Sequence, residues 1–137
     1  MLGLQDVHFL SAADYEQGMR QIIEVSLDYG VIPVLTTFPV WSGENDRELY
    51  AKRLIFDTLV VNLAREYDVP LINFWRAAQL LPTSGLSGDL IHLSYSGTES
   101  QIDFISFRGD EAQYGFTLWD LLALQSLDAI RTQVIQK

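Results

Sequence analysis

Apolar residues fall at helical spacing in three stretches of the chain and in short unbroken runs in two others. Tyr15, Met19, Ile22, Ile23 and Leu27 recur on one face of a helix predicted near 12–29. Ser11 precedes it as a hydroxyl N-cap, Asp14 supplies an acid where the helix dipole favours one, and Gly30 is its stop. A second amphipathic helix is predicted near 46–67, opened by the capping run Asn45-Asp46-Arg47-Glu48. A third, near 117–135, carries Leu118, Leu121, Leu122, Leu124, Leu127, Ile130 and Val134 on a broad apolar face, with Thr117 as cap and Asp120 three residues on. The runs Val31-Ile32-Pro33-Val34-Leu35-Thr36-Thr37-Phe38 and Val69-Pro70-Leu71-Ile72-Asn73-Phe74-Trp75 are β-rich and lack strict alternation. They predict parallel strands near 31–38 and 69–75, covered on both faces.

Helix, strand, helix, strand, loop, helix is the order of an α/β fold built on a parallel sheet. Two strands are few for such a sheet, whose faces and edges both need cover, so the strand content reads as incomplete. The 137 residues suit one domain, residues 1–137, and 48% apolar residues suffice for a core. A formal charge of −9 argues against nucleic acid or an anionic membrane surface as partner. The absence of cysteine excludes disulfides and thiolate metal sites, and leaves the compartment open. The N-terminal residues lack the basic-then-apolar order of a signal peptide, and the longest apolar run, about 31–40, is too short for a membrane span.

Candidate chemistry concentrates in Gly88-Asp89-Leu90-Ile91-His92-Leu93-Ser94, after a loop rich in Pro, Thr, Ser and Gly. Asp89 and His92 stand three residues apart, a spacing at which one loop can present a carboxylate that orients an imidazole and stabilises its protonated form. An activated serine, the other half of a nucleophilic hydrolase, has no signature here. Ser94 and Ser96 follow His92 on the same loop, whereas a nucleophile faces its base from a different element. His8 has no spaced partner, and two histidines without cysteine give no metal-binding pattern. Phe38, Trp41, Phe74, Trp75, Phe104, Phe107, Phe116 and Trp119 read first as core or interface. Trp41 and the segment from Ile102 to Phe107 are also candidates to line an acyl pocket.

The order of these pieces resembles the C-terminal half of the SGNH hydrolases, the GDSL-type esterases and lipases. Asp89-Leu90-Ile91-His92 matches the family's last block, Asp-x-x-His. Gly3-Leu4-Gln5-Asp6 is similar to its third block, Gly-x-Asn-Asp. The resemblance implies a partial flavodoxin-like, three-layer doubly wound fold in which the family's first three strands have no counterpart. It implies His92 as general base, Asp89 as its orienting partner, and Gly3 and Gln5 as the remnant of an oxyanion hole. Gln5 stands where the family has asparagine, Leu90 where a glycine is common, and residues from about Gln101 to Asp110 are an apolar insertion. The blocks bearing the Gly-Asp-Ser nucleophile and the second glycine are absent. The expected function is therefore the Asp–His part of a serine hydrolase acting on small-molecule carboxylic esters, inactive alone and requiring no cofactor. The alternative is a non-catalytic oligomerising or binding module. A free sheet edge would pair with a second copy or with a separately encoded N-terminal piece.

Overall fold

The computed structural model describes residues 3–98, 101–102 and 105–135. The chain divides into two compact units, Met1–Trp75 and Arg76–Lys137.

The first unit is built on two long helices and a minimal parallel sheet. Helix α1 spans Ala12–Asp28, and Ser11 Oγ accepts the Asp14 N–H at 3.1 Å, as its cap position predicts. Its Tyr15, Met19 and Ile23 are buried, whereas Ile22 and Leu27 of the expected face are 47% and 41% exposed. Helix α2 spans Arg47–Glu66, with Asp46 accepting the Leu49 N–H at 2.9 Å. The two helices pack directly: the Tyr15 ring stacks on Phe56 with centroids 4.2 Å apart. Strands β1 (Leu35–Thr36) and β2 (Leu71–Ile72) pair in parallel with Leu35 opposite Leu71. The helices bury Phe38, Phe56, Val60, Ile23 and Phe74 almost completely. Each such side chain contributes roughly 1.5–3 kcal/mol through removal from water. Arg53, 1% exposed, is held by Glu44 at 3.3 Å, fixing the loop after β1 against α2.

The parallel pairing predicted from the two β-rich runs is present, but the strands are much shorter than 31–38 and 69–75. Val31 and Ile32 are 56% and 39% exposed, so the first run is not covered on both faces along its length. Pro33 and Pro70 have no N–H to give a ladder, which weakens pairing at the strand entrances. At the other end, Thr37 Oγ1 accepts the Trp75 N–H at 2.9 Å. The chain turns there into a short helix, α3 (Phe74–Ala78), so Phe74 and Trp75 are helical instead of extended.

In the second unit, α4 spans Gly115–Ile130 and continues as a wider turn over Arg131–Ile135. It begins two residues before the expected cap. Thr117 lies buried in its first turn, and Tyr114 occupies the cap position without a side-chain bond. An antiparallel pair of β3 (Gly97–Thr98) and β4 (Gln101–Ile102) precedes it. Of this pair β4 falls at the start of the apolar insertion expected from about Gln101 to Asp110 and β3 lies before it; two-residue strands leave no periodicity for a sequence to show. The mixed helix and strand content with a two-stranded parallel sheet is that of a partial α/β fold.

Candidate functional site

The segment 82–94 is shaped by backbone geometry that few side chains favour. Thr83, Ser84 and Gly85 take φ of 47°, 53° and 75°, and Leu90 takes 57°. A β-branched threonine in the left-handed region costs on the order of 1–3 kcal/mol, a kind of strain that gathers at functional loops. The loop is then closed like a noose. Leu86 bridges to Leu93, and the Ser87 N–H donates to the His92 carbonyl at 2.8 Å. Ser94 ties the loop to α4. Its Oγ accepts the Gly115 N–H at 2.9 Å and donates to the Gly85 carbonyl at 3.2 Å, while its carbonyl accepts the Phe116 N–H at 2.9 Å. Ser94 thus caps a helix 21 residues further along the chain.

Inside this noose Asp89 and His92 meet. His92 Nδ1 lies 2.6 Å from Asp89 Oδ2. The other carboxylate oxygen accepts from Ser87 Oγ at 2.7 Å and from the backbone N–H of Ile91 at 2.9 Å and His92 at 3.0 Å. The bond from the His92 ring, then those from the His92 amide, Ser87 and Ile91, hold Asp89 well below the usual carboxylate range. Asp89 is thus an ionised acceptor at neutral pH, and an Nδ1–H on the ring is the matching donor. That tautomer leaves the Nε2 lone pair free for a proton. The His92 side chain is 67% exposed, and Nε2 has no bonded partner among the described residues.

The remaining predicted residues are placed differently. Gly3 and Gln5 lie in the first unit. The Gly3 N–H donates to Asp6 Oδ2 at 2.7 Å, so this backbone donor is already engaged. A Cβ on Gly3 would come within 2.7 Å of the Phe38 ring, so the glycine is required by packing. Gln5 precedes a single 3-10 turn, Asp6–His8, with its side chain exposed. His8 is exposed beside Phe9. Among the described residues no group of three or more His, Cys, Asp or Glu could hold a metal ion. Trp41 is half-buried over Gly43 in the first unit. Of the segment 102–107, Phe104 and the Ile102 side chain lie outside the described residues. Ile105 and Phe107 border a shallow groove of about 350 Å³ with Leu124 and Leu127.

Two contributors escaped sequence reasoning. Ser87 stands two residues before Asp89, the position from which a hydroxyl can reach a turn carboxylate, and that spacing was the available signal. Ser94 as a cap left none, because its partner is remote in sequence. Comparison with protein-family models, with curated proteins and with solved structures gives no match for this chain.

Proposed function

We propose that Asp89 and His92 form the general-base arm of an SGNH-type serine hydrolase acting on carboxylic esters. The observation that carries this reading is the 2.6 Å contact between His92 Nδ1 and Asp89 Oδ2, within a loop that leaves Nε2 exposed. In the reaction, Nε2 takes the proton of a serine hydroxyl as its oxygen attacks the ester carbonyl. It then returns that proton to the departing alkoxide, and water repeats the cycle to release the acid. Asp89 keeps the ring in the Nδ1–H tautomer and stabilises the imidazolium formed midway. The 137 residues hold no Gly-Asp-Ser run, so in this reading the attacking serine comes from outside them. No cofactor enters the chemistry.

Two measurements test it. Nitrogen-15 NMR of the neutral His92 ring should report the Nδ1–H tautomer, and an Nε2–H ring would overturn the assignment. Hydrolysis of p-nitrophenyl acetate should be negligible for the chain alone. It should appear on adding a polypeptide with a Gly-Asp-Ser run encoded beside it, then fall by about 10³-fold or more in His92→Ala. Turnover by the chain alone that disappears in His92→Ala would replace complementation with a serine of its own.

A second reading, a non-catalytic oligomerising module, is favoured by one observation. Leu124 and Leu127 on α4 and Val134 on its wider-turn continuation are 54%, 61% and 56% exposed, apolar surface of the kind that marks association sites. Oligomeric state together with esterase activity separates the two readings.

A further inference from the structure

One side of α4 carries an acid, two leucines and a base in that order. Asp120, Leu124, Leu127 and Arg131 recur at intervals of four, three and four residues, the spacing that keeps side chains on one narrow face of a helix. Leu124 and Leu127, at the centre, are more than half exposed. With Ile105, Phe107 and Asp120 they line the groove of about 350 Å³ along the helix. Burial alone lifts the Asp120 carboxyl above its ordinary value, and no donor or cation among the described residues answers it. Arg131 lies about 16 Å further along the axis. It holds Asp128 at 2.7 Å, with both side chains more than half exposed. Exposed pairs of this kind contribute little, so the guanidinium is open to exchange for an acid shielded from water.

The order of these four residues is self-complementary. A twofold axis crossing α4 between Gln125 and Ser126 sets Leu124 against Leu127 of a second copy, and the same register sets Asp120 against Arg131 at each end. A parallel pairing would oppose like charges at both ends. We infer that a second copy of this chain covers the groove, its α4 antiparallel to the first in this register, with the leucines in contact at the centre and an Asp120–Arg131 ion pair at each end. The inference rests on the association reading above and adds to it the occupant, the orientation and the register. Helices packed in this way lie about 8–10 Å apart, which brings each acid into contact with its base. The repulsion between two chains of charge −9 acts over longer distances and is screened beyond about 8 Å at physiological ionic strength.

The test is sedimentation equilibrium of the whole chain, unaltered and with the charges changed one at a time, with circular dichroism as the check on folding. The unaltered chain should form a dimer within about 10–100 µM. Asp120→Arg and Arg131→Asp each replace both unlike pairs by like ones, and each should raise the dimer Kd by about tenfold or more. Mixing the two variants in equal amounts should restore a dimer containing one copy of each, because every end then again joins unlike charges. Arg131 is exposed, so its substitution leaves the fold intact even if that of Asp120 does not. A dimer that neither substitution weakens, or weakening without recovery on mixing, would overturn this register while leaving the association reading standing. A chain that stays monomeric up to about 100 µM would overturn both, and a trimer or larger assembly would overturn the twofold pairing.

Discussion

Two aspartates show how environment sets the chemistry of one side chain. Asp89, exposed and surrounded by donors, is held ionised; Asp57, buried with one donor, is pushed up to about 7 by its loss of water. An unfolded aspartate titrates near 3.9, so between about pH 4 and pH 7 the folded chain retains a proton at Asp57 that the unfolded chain has released. Stability from this group is therefore full below about pH 4, declines as pH rises to about 7, and is flat above. Asp57→Asn removes the ionisation while keeping an oxygen for the Phe38 N–H. Its expected effect is a gain at pH 8 on the order of 3 kcal/mol, vanishing near pH 4. Urea unfolding at the two pH values measures it, and parallel pH dependences for both proteins would refute the buried-acid account. The sign is opposite for Asp89: its stabilising bonds persist at neutral pH and are lost only as the pH falls through its depressed value.

Helix ends and loop anchors decide where the elements stop. Both α1 and α2 end in the same pair of bonds. In α1 the Gly30 N–H reaches Leu27 O and the Val31 N–H reaches Ser26 O. In α2 the Asp68 N–H reaches Arg65 O and the Val69 N–H reaches Ala64 O. The left-handed position is a glycine in α1, at φ 70°, but an aspartate in α2, at φ 51°. Asp68→Gly should relieve the Cβ penalty and raise stability by about 0.5–1 kcal/mol, read as a higher urea midpoint at unchanged slope. A lower midpoint would show that the aspartate side chain does more than occupy the turn. At the other anchor, a Cβ on Gly115 would lie 2.0 Å from the Gly85 carbonyl oxygen. Gly115→Ala should therefore push the loop off α4 and break the Ser94 bonds. Amide exchange at Gly115 and Phe116 should accelerate by about tenfold or more, with the His92 Nδ1–H proton signal lost. Unchanged exchange would mean the loop holds its shape without α4.

At the scale of the molecule, apolar surface is unevenly disposed. The first unit buries aromatic and aliphatic side chains fully between its helices and sheet, whereas α4 carries its leucines half-buried or exposed. No helix among the described residues is long and apolar enough to cross a membrane. A helix with so apolar a face is stabilised chiefly by packing that face against a partner. Leu124→Glu with Leu127→Glu should therefore convert any oligomer to monomer without reducing helix content, measured by light scattering and circular dichroism. A monomer at about 10–100 µM in the unaltered chain would count against the association reading, and would leave the stripe as solvated surface.

How much of this was legible depended on the range of the interactions involved. The three long helices could be read because helical periodicity and the caps Ser11 and Asp46 are local, settled within four residues. The Asp89–His92 pair could be read for the same reason, since three residues of loop suffice to join the two side chains. The strands were located but overextended. Where a ladder stops depends on partners remote in sequence, and the hydroxyl of Thr37 that turns the chain at Trp75 lies 38 residues away. Ser94 at the start of α4 and Asp57 beneath Phe38 left no local trace for the same reason. Sequence by itself determined the helices, the caps of the first two and the acid–imidazole contact, because each rests on neighbours along the chain. Only the tertiary structure decided where the sheet ends, what anchors the loop and which acid is buried, because burial and remote bonds exist only after the chain has packed.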